Sequence, residues 1–335
     1  MSLVIPQSYV SPLNIRETEK AIRVTRELFK ASLCKNLNLE RASAPLFVKA
    51  GTGINDDLNG IERAVEFDIL HINGVKAQIV HSLAKWKRIA LKNYGFNVGE
   101  GIYTNMNAIR RDEETDNLHS IYVDQWDWEK VISREQRTKD YLKQTVQTIV
   151  NTVCDVQDAI QKQFPALTKK LKREVTFITS QELEDLYPDK TPKERENLFA
   201  KEHKTIFIME IGDVLTGGEP HDGRAPDYDD WKLNGDIIFY NETLDEAFEL
   251  SSMGIRVDET SLREQLEKSG HEDRMVLQYD KMLLNGELPL TIGGGIGQSR
   301  LCMLLLEKAH IGEVHASIWP DDMVSTCKAA GINLL

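Results

Sequence analysis

The stretch 291-TIGGGIGQSRLCMLLL-306 decides how the chain is read. Glycine fills every position from 293 to 297 except Ile296, and Arg300 follows, before a run with the apolar spacing of a helix. Glycine lets a backbone approach a ligand or a neighbouring strand where a Cβ would clash. The stretch therefore predicts a strand end pressed against something, with Arg300 on the first turn of the next helix and aimed back at whatever the glycines admit. It fits neither familiar phosphate loop: GxxxxGK[ST] is absent, and Gln298 stands where GxGxxG needs its third glycine.

Outward from this stretch, the chain alternates long hairpins with helices. Ser11-Pro12 predicts a capped opening helix over about 12–36, with Ile15, Ile22, Leu28, Phe29 and Leu33 at helical spacing. Short β-type runs follow at 39–48, 65–70 and 78–81, with a polar loop, GTGINDDLNG, at 51–60 that is suited to cover a site. Residues 82–93 read as a basic helix capped by Ser82. Arg88 and Lys92 are expected on its solvated face, and Lys85 and Lys87 near its anion-attracting start. Residues 103–110 and 120–129 predict an antiparallel hairpin. Alternation puts Ile121, Val123, Gln125, Asp127 and Glu129 on one face, apolar turning polar, with Tyr122, Trp126 and Trp128 on the packing face. A long covering helix is expected over 138–164, buried strands at 175–180 and 205–211 around a helix from Pro192, and a Gly- and Asp-rich loop at 212–230. Strands at 233–240 and 247–257 and helices from Ser261 and about Glu272 complete the chain up to the glycine stretch.

Hairpins followed by helices, without regular βα alternation, predict an α+β fold with a mainly antiparallel sheet flanked by helices. No repeat or low-complexity linker divides the 335 residues, so a single catalytic domain over 1–335 is expected. With 41% hydrophobic and 28% charged residues the composition is that of a soluble globular protein. A net charge of −12 argues against general nucleic-acid binding. The opening MSLVIPQSYV lacks the features of a secretory signal, and no apolar run approaches the roughly 20 residues of a membrane helix, so a cytoplasmic protein without membrane or nucleic-acid partners is expected. Cys34, Cys154, Cys302 and Cys327 are far apart and read as reduced, non-catalytic thiols.

Two arginine-bearing elements stand out together: the strand ending in Ile109-Arg110-Arg111-Asp112-Glu113, and the glycine strand leading to Arg300. The pair resembles motifs 2 and 3 of class II aminoacyl-tRNA synthetases. HSLAKWKR at 81–88, YVDQWDWE at 122–129, RAPDYDDW at 224–231, LNGDI at 233–237, FELSSMGIRVD at 248–258 and GGGIGQSRL at 293–301 narrow that resemblance to the ammonia-dependent asparagine synthetases, the aspartate–ammonia ligases. The similarity spans about 12–320. It implies a class II synthetase-like catalytic fold without an anticodon-binding or glutaminase domain, a homodimer, Mg²⁺, and the substrates L-aspartate, ATP and ammonia. The implied reaction passes through β-aspartyl-adenylate, releases pyrophosphate and AMP, and yields L-asparagine. A stand-alone asparaginyl- or aspartyl-tRNA synthetase relative and a non-catalytic paralogue are the alternatives.

The resemblance also implies roles. Arg110 would bridge the reacting carboxylate and the α-phosphate, a task for which a forked guanidinium is better suited than an ammonium. Arg300, Glu113 and Gly295 would contact the nucleotide, and Asp229 is chosen for a further nucleotide contact ahead of Asp227 and Asp230. Asp236 and Glu249 would supply hard oxygens to Mg²⁺. Asp56, Gln125 and Asp127 are candidates for the substrate ammonium and for positioning ammonia, with Asp56 the suspected proton acceptor. Ser82, Lys87, Ser251 and Arg256 are candidates for binding aspartate, Arg256 being the one most readily explained instead as an edge-strand arginine paired with a neighbour.

Overall fold

The computed structural model describes residues 3–56, 58 and 62–335. Of the expected loop at 51–60, Asp57, Asn59 and Gly60 lie outside the described residues. In chain order the elements are α1 (Ile15–Leu37), β1 (Leu39–Arg41), β2 (Phe47–Lys49), β3 (Glu66–Ile69), β4 (Val75–Ile79), α2 (Ala84–Tyr94), β5 (Gly101–Ile109), β6 (Tyr122–Val131), α3 (Lys139–Gln163) and β7 (Thr176–Thr179). There follow α4 (Ser180–Leu186), α5 (Pro192–His203), β8 (Thr205–Met209), β9 (Asp229–Asn241), β10 (Glu246–Arg256), α6 (Glu259–Ser269), α7 (Gln278–Leu284), β11 (Thr291–Gly297), α8 (Gln298–Leu305) and α9 (Asp321–Ala329).

One large sheet runs β1-β5-β6-β11-β10-β9-β8-β7, and a small one runs β2-β4-β3. The large sheet is antiparallel throughout its middle, and its outermost pairs, β1 with β5 and β7 with β8, are parallel. The expected run at 39–48 therefore divides: β1 joins the large sheet and β2 the small one. The glycine strand β11 sits at the centre, between β6 and β10.

One face of the sheet is covered by α1 and α3, whose apolar stripes meet Trp126, Trp128, Phe248, Met253 and Ile296 in the main core. Phe29 of α1 lies 4.8 Å from the Trp126 ring. Trp126 and Trp128 thus pack against helices, as expected, whereas Tyr122, at the start of β6, is exposed and stacks on the His315 ring instead; Gln125, Asp127 and Glu129 are left to the other face. α1 begins later than Ser11-Pro12 suggests. Asn14 caps it in a capping box with Glu17, while the Ser11 hydroxyl donates to the Leu13 carbonyl and accepts from the buried Lys308. Ser82 is not the N-cap of α2, a position held by Leu83 without a side-chain bond, but its hydroxyl accepts from the Ala84 amide that opens the helix at 3.4 Å and donates to Asp56 at 3.0 Å. Arg88 is not on a solvated face either. It is fully buried, with Nε donating to the Pro289 carbonyl and a terminal nitrogen to the Val257 carbonyl, each at 2.8 Å. All four cysteines are free.

Candidate active site

A cleft of about 310 Å³ opens on the sheet face opposite α1 and α3. Its floor is β6, β11 and β10; its walls are the start of α2, the turn after β5, and the segment preceding β9. The glycines of β11 have a local reason. A Cβ at Gly293 would overlap the Glu129 carboxylate, and one at Gly295 the Gln125 amide, so these neighbours lie across bare backbone.

At the inner end, charged groups form a closed lattice. Lys87 donates to Asp127, to the Trp128 carbonyl at 3.0 Å and to the Gly294 carbonyl at 3.3 Å, with Glu129 at 3.6 Å. Arg256 grips both Glu129 oxygens, through Nε at 3.0 Å and a terminal nitrogen at 2.8 Å, and Asp229 through the other terminal nitrogen at 2.5 Å. Burial works against the Glu129 charge, but Arg256 and Lys87 outweigh it and hold that carboxyl below its ordinary range. Beyond these bonds Arg256 retains one N–H on each terminal nitrogen. It is not on an edge: β10 lies between β11 and β9. Asp56 enters beside this lattice, accepting from Ser82 at 3.0 Å and from the Leu58 amide at 3.0 Å.

The outer end is looser. Arg110, just past β5, is half-buried, and its Nε is buried without a hydrogen-bond partner among the described residues. Neither neighbouring acid holds it: Asp112 pairs with Arg63, and Glu113 lines the cleft. Arg300 donates to the Glu249 carbonyl at 2.8 Å and to its carboxylate at 3.1 Å. Arg224 pairs with Asp236. Burial, reinforced by Glu249 and opposed by Arg224, pushes the Asp236 carboxyl up to about 7. Burial also raises Glu249, yet Arg300 and Arg224 hold it below its ordinary range.

Of the residues singled out in the sequence, Asp56, Ser82, Lys87, Arg110, Glu113, Gln125, Asp127, Asp229, Glu249, Arg256, Gly295 and Arg300 all line this cleft. Asp229 is at its inner end, bonded to Arg256, rather than beside the outer arginines. Asp236 lies outside the lining and meets it through Arg224. Ser251 is also outside, because a bulge between Glu249 and Ser251 shifts the register of β10. Ser252 shares the pocket face with Glu249 and Arg256, whereas Ser251 is buried with its hydroxyl unpartnered among the described residues.

Sequence reasoning passed over a further set. Asp124 of β6 caps α8, accepting from the Ser299 amide at 3.0 Å and its hydroxyl at 2.9 Å, and Arg26 of α1 holds Asp124 at 2.8 Å. His315 bonds Ser299 at 2.8 Å and the Tyr122 carbonyl at 2.9 Å. This cluster sets the helix that carries Arg300. The one sequence signal was an aspartate on the otherwise aromatic face of β6.

Comparison with known proteins agrees with the geometry. A family model described as aspartate-ammonia ligase matches residues 16–331. The aspartate–ammonia ligase of Ruminiclostridium cellulolyticum is 59% identical across 100% of this chain and 99% of its own. The chain belongs to the aspartate–ammonia ligase family. Within that family, the Lactobacillus johnsonii aspartate–ammonia ligase is 58% identical across 100% of both chains. The family fold extends to more distant proteins. Asparaginyl-tRNA synthetase from Pyrococcus horikoshii, solved with asparaginyl-adenylate, superposes with a TM-score of 0.66 at 15% identity, covering 91% of this chain and 71% of that one. The Entamoeba histolytica asparaginyl-tRNA synthetase superposes with a TM-score of 0.61 at 14% identity, covering 90% and 67%. The α+β architecture expected from the sequence is therefore that of class II synthetases.

Proposed function

We propose that the chain joins L-aspartate and ammonia at the expense of ATP, forming L-asparagine through β-aspartyl-adenylate, and that the cleft divides the work between its ends. The observation that carries this reading is the contrast between a committed inner lattice of both signs and an outer end whose Arg110 is uncommitted among the described residues.

Aspartate brings one ammonium and two carboxylates, and the inner end offers both signs. Asp56, Gln125 and Asp127 suit the ammonium; the remaining N–H groups of Arg256 suit the α-carboxylate, with Lys87, whose three N–H are already given to Asp127, Trp128 and Gly294, contributing its charge, and Ser82 donating once its hydroxyl turns from Asp56. The β-carboxylate then points toward Arg110. Its approach to a phosphate is opposed by about 4 kcal/mol for unit charges at ~4 Å and an effective dielectric near 20, roughly three decades of rate. Arg110 offsets that repulsion by bridging the two anions. A β-carboxylate oxygen attacks the α-phosphorus, and pyrophosphate leaves. Ammonia, freed of its extra proton by a carboxylate, for which Asp56 is the candidate, attacks the β-carbonyl carbon. The carbon–oxygen bond to AMP breaks, and nitrogen loses one further proton.

Asp236 and Glu249 fit Mg²⁺ by their chemistry. They are two hard carboxylates close enough to perturb one another, each now balanced by an arginine, and Mg²⁺ is commonly held by one or two carboxylates together with phosphate oxygens. Among the described residues no cluster of three or more His, Cys, Asp or Glu offers a rival cage. When bound, the ion neutralises phosphate charge. A homodimer and a cytoplasmic setting belong to the same proposal; no described helix is long and apolar enough to cross a membrane.

The test is AMP release from purified protein with ATP, Mg²⁺ and aspartate, with and without ammonium, and then with tRNA. Ammonium-dependent asparagine formation is the expected result. Charging of tRNA, or no turnover in either arm, would refute the proposal.

A further inference from the structure

A second chamber, of about 200 Å³, adjoins the cleft and shares two of its acids, Asp56 and Glu62. Gly51, exposed, and Thr52, half-buried, stand on its outer side, and Asn55, Gln78 and His81 continue the polar wall inward to Asp56. The space is wide enough for molecules the size of water.

Its charge has one sign in excess. Two cations, Lys85 and Arg274, face it, and both bind the same oxygen of Asp227, at 2.6 Å and 3.0 Å. Asp227 is fully buried, and its second oxygen has no hydrogen-bond partner among the described residues. Asp280, fully buried behind it, has neither oxygen bonded among those residues; burial, then Asp227, pushes its carboxyl up to about 7. Among the described residues the lining acids Asp56, Glu62 and Asp227 thus outnumber Lys85 and Arg274. A buried carboxylate oxygen lacking a donor is costly to leave unmatched. A small cation with several N–H donors would satisfy it.

On the proposed reaction, the third substrate must reach the adenylate while aspartate and nucleotide fill the cleft. We propose that the chamber walled by Asp56, Gln78, His81, Asp227 and Leu277 is the entry and holding site for ammonium, which reaches the adenylate from behind, past Asp56. This rests on the adenylate reading and adds the route and the residues that serve it. Asp56 then has two neighbours: the amino-acid site on one side and the incoming ammonium on the other.

Two variants change the size of the chamber from residues given no part in the chemistry. Ala64, half-buried in its lining, becomes Ala64→Phe and narrows it. Leu277, packed against Gly53, becomes Leu277→Ala and widens it. Two readouts are taken: aspartate-dependent ATP–pyrophosphate exchange without ammonium, and asparagine formation against ammonium or methylamine. Ala64→Phe should keep exchange within about twofold and raise the KM for ammonium by about tenfold or more, the scale at which a small pocket discriminates. Leu277→Ala should raise the use of methylamine relative to ammonium. An unchanged KM for ammonium in Ala64→Phe overturns the proposal, as does equal loss of exchange and amidation in both variants, which would tie the chamber to the aspartate site. Failure of the adenylate reading would look different: wild-type protein making asparagine with no exchange at all.

Discussion

The two ends of the cleft solve the problem of buried charge in opposite ways. At the inner end Lys87, Asp127, Glu129, Arg256 and Asp229 are all nearly or fully buried and bonded to one another. At the outer end the Arg110 Nε has no partner among the described residues, and Arg300 and Arg224 rest on carboxylates that, in the proposed reaction, they exchange for phosphate. In the proposed reaction the inner end is a fixed mould for the amino-acid substrate. The outer end holds its cations in provisional pairs, so that phosphates and a metal ion can replace partners the protein already supplies. Preorganisation here is uneven, and the unevenness follows the order of charge: aspartate needs a precise pattern of both signs, ATP a movable excess of positive charge.

The contrast can be broken most forcibly at its inner end. Glu129→Ala removes the shared partner of Arg256 and Lys87 and should cost about 3–5 kcal/mol, read as a fall in the urea midpoint, since a stranded buried charge is costly. A loss below about 1 kcal/mol would mean the lattice is not rigid. Arg110→Lys should show the opposite signature, with stability within about 0.5 kcal/mol of wild type but adenylate formation, followed by pyrophosphate exchange, slowed by roughly a hundredfold. Normal exchange in that variant would remove Arg110 from the bridging role.

A third comparison concerns pH. His310, behind the outer wall, is fully buried, and its Nδ1 accepts from the Gly312 amide at 2.9 Å, so the ring must be neutral at that nitrogen. Burial lowers its pKa to about 4. The unfolded chain therefore binds a proton that the folded one refuses between about 6.5 and 4, and stability should fall as pH drops through that window, by about 1 kcal/mol per unit. His310→Asn, which retains an acceptor for the Gly312 amide, should flatten that slope in urea titrations at pH 7 and pH 5. The smallest effect sharpens the register of β10. Ser251→Ala should be within about 0.5 kcal/mol of wild type, because its hydroxyl has no partner to lose, whereas Ser252→Ala should shift a substrate KM with little change in stability.

What could be read in the sequence follows from the range of each interaction. The face of β6 that carries Gln125, Asp127 and Glu129 was legible because alternation is local and the tryptophans declare the other side. The strand-to-helix turn at Arg300 was legible for the same reason. Arg88 was misread because its partners are carbonyls of Val257 and Pro289, which no side-chain pattern marks. The Asp229–Arg256 bond was not legible, because nothing in RAPDYDDW shows that Arg256 waits across the β9–β10 pair. Ser251 stands among the sequence candidates and Ser252 does not, because a bulge leaves no mark on an alternating sequence. The Asp124–Ser299–His315 cluster joins three distant segments and exists only once they fold together.

The central position of β11 has a consequence for synthesis. Its hydrogen-bonding neighbours, β6 and β10, are both made before it. The roughly 160 residues separating Val131 from Thr291 take on the order of ten seconds or more to leave a ribosome, and throughout that time β6 has one edge unpaired. The last strand to emerge is also the one that closes the middle of the sheet. A nascent chain stalled before residue 291 would therefore present two open edges, the hazard that invites pairing between chains, and it would lack the glycine floor of the cleft.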